Sequence, residues 1–139
     1  MNFLLDTNVV SEATRSQPSA AVLDWIAAQA SEALFISAIT VGELRRGALL
    51  LVEGKKREAL LRWIETGIKA EFAGRILPAD TAVIERWAEL QTASERAGRR
   101  LPLMDSLLAA TALANNLTLA TRDTNDFKAA GVPLFDPWR

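Results

Sequence analysis

Short apolar runs alternate with longer segments of helical periodicity along this chain. The apolar runs predict buried strands at residues 2–5, 33–36, 76–77, 117–120 and 132–135. Apolar residues spaced three or four apart predict helices at residues 9–15, 19–29, 39–52, 58–72, 81–96 and 103–115. Buried strands that alternate with helices are typical of a parallel sheet packed between helices. The pattern therefore predicts a doubly wound α/β fold with extra helices between the second and third strands.

The length of the chain limits the number of domains that it can form. With 139 residues, of which 50% are hydrophobic, it is long enough to bury one proper core and has no linker of domain-splitting length. We predict a single domain over residues 1–139, built as three α/β/α layers around a parallel sheet of four to five short strands.

Two acidic residues follow predicted strands. Asp6 ends the first apolar run, and Asp123 comes shortly after the run at residues 117–120. In open α/β sheets, ligands bind at the carboxyl ends of the strands, so both carboxylates are candidates for a functional site. Each could instead serve only as a helix cap or as a turn residue.

Two more acidic residues lie on apolar helix faces. Glu43 has Ile39, Gly47 and Leu50 at positions i−4, i+4 and i+7, which places it on a stripe that we expect to be buried. Asp105 begins the apolar face of the last long helix. The alternatives are that Glu43 turns to solvent and that Asp105 only favours the positive end of its helix.

Four carboxylates at one sheet edge would repel one another. At a separation of about 5 Å and an effective dielectric constant of 20, each pair costs roughly 3 kcal/mol. A bound cation would offset this repulsion. Ligands that are all oxygen atoms favour a hard cation, Mg²⁺ or Mn²⁺, over zinc.

The composition excludes several kinds of chemistry and location. The chain has no cysteine, histidine or tyrosine, which rules out Ser-His-Asp and Cys-His catalysis as well as cysteine-bound zinc. The lack of cysteine fits a reducing cytoplasm. No apolar run is long enough to cross a bilayer, and no basic region precedes the first run. We expect a soluble cytoplasmic protein without membrane contact.

The charge balance permits an RNA partner. The formal net charge is −1, but the chain outside the four candidate acids is net positive, and most of its cations are arginines, which bind phosphate well. Several arginines lie in or beside the segments described here. Any one of them can equally be an ordinary solvated charge; the candidates are Arg45, Arg46, Arg99, Arg100 and Arg122.

Four segments together resemble the motifs of PIN-domain ribonucleases, and among these the VapC and FitB toxins of bacterial toxin-antitoxin pairs. The segments contain the four candidate acids and occur in the family's order, at residues 4–9, 40–47, 103–112 and 119–127. Leu4-Leu5-Asp6-Thr7-Asn8-Val9 is similar to the first motif of that family. The resemblance extends from residue 3 to residue 135 and implies a PIN-like fold.

The resemblance also implies a site and an activity. The metal-binding and catalytic set would be Asp6, Glu43, Asp105 and Asp123, with Thr121 as a polar neighbour that positions water. The activity would be Mg²⁺- or Mn²⁺-dependent cleavage of RNA, such as tRNA, by the toxin of a toxin-antitoxin pair. The implied partners are a small antitoxin that covers the acidic groove, a second copy in a homodimer, and operator DNA contacted by the antitoxin.

Three alternatives remain open. Many relatives have Asn at the position of Asp123 and an acid at the position of Asp126, so either or both could face the metal; we favour Asp123 because it is closer to the strand. A phosphatase of the haloacid dehalogenase type also begins with a strand that ends in Asp, but it requires a second Asp where this chain has Asn8. A catalytically silent, partner-binding PIN-like protein would be expected to lack one of the four acids, and none is missing.

Overall fold

The fold is built on one parallel sheet. The computed structural model describes all residues, Met1–Arg139. The five strands are β1 (Phe3–Leu5), β2 (Leu34–Ser37), β3 (Ile76–Leu77), β4 (Thr118–Ala120) and β5 (Leu134–Phe135). Their order in the sheet is β3-β2-β1-β4-β5, and every neighbouring pair is parallel. The predicted parallel sheet is confirmed, and the direction of strand addition reverses between β1 and β4.

Helices connect these strands. They are α1 (Thr7–Ser11), α2 (Ala20–Ala28), α3 (Ala38–Leu49), α4 (Lys55–Arg62), α5 (Lys69–Glu71), α6 (Thr81–Arg96), α7 (Leu103–Ala114) and α8 (Thr124–Phe127). A π-helical turn, Trp63–Ile68, joins α4 to α5. Short 3₁₀ turns follow α1, precede β2 and follow α8. No helix is both long and apolar enough to cross a membrane.

The core has two halves because side chains along a strand point alternately to opposite faces of the sheet. Leu4 of β1 packs into a cluster with buried residues of α6 and α7, such as Leu90 and Leu108. Its neighbours Phe3 and Leu5 pack into a second cluster with residues of α1, α2 and the π-helical turn. Helices therefore cover both faces of the sheet, and the predicted three-layer α/β/α architecture is confirmed.

Several element boundaries differ from the sequence-based expectation. The helix expected over residues 39–52 ends at Leu49, and the next begins at Lys55 rather than at residue 58. Gly54 lies just before α4 with φ 153°, a conformation that residues with a side chain rarely adopt. This glycine therefore allows the turn that precedes α4.

Two other local features were not expected. The predicted regular helix over residues 58–72 contains the π-helical turn, in which the Trp63 ring packs against Gly67 so closely that a Cβ there would lie 3.2 Å from the ring. The short helix α8 was not predicted because four residues are too few to show a helical period. The expected helix over residues 9–15 is split into α1 and a 3₁₀ turn.

Candidate metal centre

The first predicted site residue lies at the carboxyl edge of the sheet, beside the point where the strand order reverses. Asp6 follows β1, and its backbone N–H donates to the carbonyl of Ala120 at 2.9 Å, which continues the pairing of β1 with β4. Open α/β sheets bind ligands at such a reversal, because the two connections leave in opposite directions and open a crevice. The placement agrees with the sequence-based prediction.

Both carboxylate oxygens of Asp6 accept hydrogen bonds. The Thr7 backbone N–H donates to Oδ1 at 2.6 Å, which caps α1. The Thr121 hydroxyl donates to Oδ2 at 2.7 Å. The helix-cap and functional-site interpretations of Asp6 therefore do not exclude each other, since one oxygen begins the helix while the other faces the end of β4.

Burial dominates the electrostatics of Asp6. Its residue surface is only 8% exposed, and loss of solvent raises the pKa of Asp6 from 3.8 to about 6. The hydrogen bonds from Thr121 and Thr7 oppose this rise, and the nearby carboxylates of Asp105 and Glu43 add to it. The folded chain therefore holds a carboxylate whose charge is poorly compensated by the protein.

Glu43 on α3 is fixed by the residue after Asp6. The Thr7 hydroxyl donates to Glu43 Oε1 at 2.7 Å and lies 3.3 Å from the hydroxyl of Thr40. The expected buried stripe is wrong, because Gly47 is exposed and Leu50 is 68% exposed. Glu43 itself is half-buried and lies beside an open cleft between α3 and α7.

Asp105 lies in the first turn of α7, as predicted. Loss of solvent raises the pKa of Asp105, and the carboxylates of Glu43, Asp126 and Asp123 raise it further. Because these charges act on the same group, the structure brings the three acids to the neighbourhood of Asp105. The charges of all four predicted acids are thus linked through Asp105, and we call this group of carboxylates the cluster.

Asp123 is connected to the cluster through two polar residues. Its backbone N–H donates to the Thr121 hydroxyl at 3.0 Å, and Asn8 Nδ2 donates to its Oδ2 at 3.2 Å. The Asn8 Oδ1 atom is buried and has no hydrogen-bond partner. The sequence analysis gave Thr7 and Asn8 no role at the site, although the three consecutive polar residues Asp6, Thr7 and Asn8 were a signal that all of them face it.

Asp126 also belongs to this cluster. It lies in α8, and its carboxylate raises the pKa of Asp105 more than that of Asp123 does. The preference for Asp123 over Asp126 is therefore incomplete, because the charge of Asp126 acts on the candidate site as well. Which of the two acids would contact a metal stays a prediction.

The cluster has the donor chemistry of a site for a hard cation. None of its five carboxylates forms an ion pair with Lys or Arg. No three of them are close enough together to hold one ion by direct contact alone. Mg²⁺ commonly keeps several waters and uses few protein carboxylates, so an uncompensated, oxygen-only cluster of this kind suits it. The buried, unpartnered Oδ1 of Asn8 adds a neutral acceptor at the same place.

Comparisons with known sequences identify the family of this chain. The sequence model of the PIN domain family matches residues 3–133. Over 135 residues the chain is 47% identical to the plasmid stability protein StbB of Pseudomonas syringae pv. tomato and 45% identical to Toxin FitB of Neisseria gonorrhoeae, covering 97% of each chain in both cases. It is 42% identical to a VapC ribonuclease of Sinorhizobium fredii, with 97% of this chain and 96% of the relative covered.

Solved structures of related proteins have the same fold as this chain. FitAcB from N. gonorrhoeae superposes with a TM-score of 0.93 at 44% identity, covering 99% of each chain. FitAB bound to a DNA fragment superposes with a TM-score of 0.92 at 43% identity, covering 99% of this chain and 96% of the other. Matches of this extent, in sequence and in fold, establish that the chain belongs to the PIN domain family.

Proposed function

We propose that this protein is a divalent-metal-dependent endoribonuclease and the toxin of a toxin-antitoxin pair. The observation that carries the proposal is the cluster of five carboxylates linked through Asp105, one of them the buried Asp6, for which the chain itself supplies no ion-pairing cation. The relatives named as a toxin and as a VapC ribonuclease support the choice of activity.

Asp6, Asp105 and Asp123 would hold Mg²⁺ or Mn²⁺, partly through waters that the ion keeps, with Glu43 orienting a water or a second ion. Such an ion supplies an activated water and stabilises the negative charge that builds on the phosphate oxygens while the P–O bond breaks. The surrounding residues position the ligands. Thr121 holds Asp6, and Asn8 with Thr121 holds Asp123.

Glu43 has its own support. The hydroxyl of Thr7 fixes Oε1 and leaves Oε2 without a protein partner. A carboxylate held by one oxygen keeps a defined orientation while its second oxygen can accept a proton or bind water. Glu43 is therefore assigned to water orientation rather than to a purely structural contact.

The proposed partners follow from the relatives. FitAB is bound to DNA in a solved structure that superposes on this chain over nearly its full length. We assign to this protein a small antitoxin that covers the carboxylate cluster, a homodimeric arrangement, and an assembly on operator DNA through the antitoxin. The RNA substrate would be cytoplasmic, with tRNA as the first to test.

The experiment is cleavage of total RNA and of tRNA with Mg²⁺ or Mn²⁺, with and without EDTA. Wild type should cleave only with metal, and Asp6→Asn and Asp105→Asn should be inactive. Asp24→Asn is the matched control, since it removes the same charge from an exposed position on α2 away from the cluster. Cleavage that persists in EDTA or in the Asp6→Asn variant would exclude this mechanism.

A further inference from the structure

A cleft of about 660 Å³ adjoins the carboxylate cluster. This volume lies in the range of roughly 300–1,000 Å³ that is usual for small-molecule sites. Thr7 and Glu43 belong both to the cluster and to the lining of the cleft, so the two are continuous. Its remaining lining comes from α3 on one side and from α7 on the other.

One wall of the cleft is a single face of α3. Ile39, Gly42, Glu43, Arg46 and Gly47 line it at relative positions i, i+3, i+4, i+7 and i+8, which share one side of a helix. This is the face on which sequence analysis expected a buried stripe. In the folded chain it is the open side of α3.

The local structure does not require glycine at either of the two glycine positions on this face. Gly42 and Gly47 lie within a regular helix without positive φ, and a Cβ built on either one meets nothing within 4 Å. Glycine inside a helix is less favourable than alanine, so the chain gives up stability at both positions. Because both positions are glycine, the backbone of this wall is bare at Gly42 and Gly47, between the side chains of Ile39, Glu43 and Arg46.

The opposite wall is apolar and accessible. Met104 on α7 is 49% exposed, and Leu107 follows it at i+3 on the same face. Methionine is flexible, and its sulfur makes favourable contacts with aromatic rings. The two walls together form a slot between apolar side chains of α7 and a face of α3 that has bare backbone at its two glycines, which leaves room for a flat ring.

A cation without a partner lies at the same cleft. Arg46 lines the cleft and forms no ion pair, whereas its neighbour Arg45 lies 3.8 Å from Glu65. A free guanidinium suits a phosphate group, which it can bind through two N–H donors at once. Of the arginines singled out from the sequence, Arg46 is the one placed beside both the slot and the carboxylates.

We infer that this cleft is a nucleotide-binding subsite for the RNA residue next to the scissile phosphate, an inference that rests on the proposed function. Arg46 binds the adjoining phosphate, and the base lies between Met104 and the glycine face of α3. The base must be unpaired, because the faces of a base in a duplex are covered by its neighbours. The subsite therefore selects single-stranded RNA and contributes to the choice of cleavage position.

The first test measures cleavage of a short single-stranded RNA in which the base on either side of the cut is replaced by an abasic ribose. In wild type, loss of the base on one side should lower kcat/KM by about tenfold or more, the usual scale of a stacking contact. Met104→Ala should lower kcat/KM for the intact RNA by a similar factor and should make the abasic substitution nearly silent. Leu103→Ala is the matched control, because Leu103 is 57% exposed but does not line the cleft.

The second test measures binding without metal. Fluorescence anisotropy of a labelled single-stranded RNA with Asp6→Asn protein in EDTA gives the Kd at several salt concentrations. Adding Arg46→Ala should weaken binding and reduce the slope of log Kd against log salt by about 0.7, the contribution of one phosphate on a single strand. Arg45→Ala on the same background should leave the slope unchanged.

The third test fills the slot without harming the helix. Gly47→Leu replaces glycine with a good helix former, so the melting temperature of the variant protein should rise. The kcat/KM of the variant on single-stranded RNA should fall at least tenfold, because the leucine side chain fills the slot. A variant that is more stable and yet less active separates obstruction of the cleft from loss of folding.

The outcomes distinguish the subsite from the proposed function. If wild type cleaves no RNA and Asp6→Asn binds none, both ideas fail. If wild type cleaves but Met104→Ala matches Leu103→Ala and the abasic effect is unchanged, the nuclease stands and the subsite is refuted. If Met104→Ala or Gly47→Leu changes the mass of the protein in light scattering, the cleft is an interface between copies of this chain, which also refutes the subsite.

Discussion

Asp6→Asn should make the metal-free protein more stable, although the residue lies at the centre of the candidate site. The substitution keeps the size of the side chain and removes its charge. In wild type without metal, that charge is buried and lies near the carboxylates of Asp105 and Glu43. An ordinary surface aspartate would give no such gain, because its charge is well solvated.

The magnitude follows from the pKa. Its rise from 3.8 to about 6 corresponds to a cost of about 3 kcal/mol at neutral pH, since each pKa unit is worth about 1.4 kcal/mol. The variant loses part of the hydrogen bonding to Thr121, which is worth about 1 kcal/mol. The net gain is therefore about 2 kcal/mol. For a chain of 139 residues it corresponds to a rise in melting temperature of about 6 °C.

The pH dependence of stability provides an independent check that the charge of Asp6 causes the difference between the two proteins. Because the pKa of Asp6 is higher in the folded state, the folded protein binds more protons than the unfolded protein between about pH 6 and pH 4. Wild type should therefore regain stability relative to Asp6→Asn as the pH falls from 7 through 6. Near pH 4 most of the advantage of the variant should be lost, because Asp6 is then neutral in the folded state and about half protonated in the unfolded state.

The assay is thermal unfolding of both proteins in EDTA across this pH range, repeated with Mn²⁺. Metal that binds only the folded state should raise the melting temperature of wild type and should raise that of Asp6→Asn much less. Asp24→Asn, at an exposed position, serves as the control and should behave like wild type throughout. An Asp6→Asn variant that is less stable than wild type at pH 7, or equal metal responses of the two proteins, would refute a shared carboxylate site.

Three further predictions follow from the same contacts. Thr121→Val removes the hydroxyl that donates to Asp6, so it should raise the pKa of Asp6 further and cost about 2 kcal/mol at pH 7 and less at pH 5, measured by urea unfolding. Wild type should arrest growth when expressed, whereas Asp105→Asn should not; equal growth of the two strains would remove the support for a toxin. Trp87→Phe loses the 3.0 Å hydrogen bond from Nε1 to the buried Ser106 hydroxyl and should lower stability by about 1 kcal/mol without changing RNA cleavage, as unfolding and activity assays can show.

The sequence was most informative where one element determines the placement of a residue. Asp6 and Asp105 were located correctly because a short strand ends at the first and a helix begins near the second. These are local properties, readable from apolar spacing and from Pro102 before the helix. The parallel sheet and its helical layers follow from the same alternation.

The environment of Glu43 could not be predicted in the same way. Its stripe on α3 is apolar enough to suggest burial, but α7 stands far enough away to leave a cleft, and Leu50 is 68% exposed. The distance between two helices depends on how both pack on the sheet. The periodicity of apolar residues in one helix gives no information about this distance. The open glycine face of α3 was therefore recognised only in the folded chain.

The contacts that hold the site were also outside the reach of sequence spacing. The hydrogen bond from Thr7 to Glu43 joins residues 36 positions apart, and the bond from Asn8 to Asp123 joins residues 115 positions apart. Both depend on the order of strands in the sheet, which places β1 between β2 and β4. The order of the motifs indicated which acids belong together. That Thr7 and Asn8 hold two of these acids by hydrogen bonds is visible only in the folded chain.

If these carboxylates share one metal site, an anomalous difference map from a crystal containing Mn²⁺ will show it. We expect a peak in the carboxylate cluster, with oxygens of Asp6 and Asp105 among its direct or water-mediated ligands, and no such peak in crystals of Asp6→Asn. A wild-type map with Mn²⁺ bound only elsewhere on the protein, or the same peak in both proteins, would exclude a shared site.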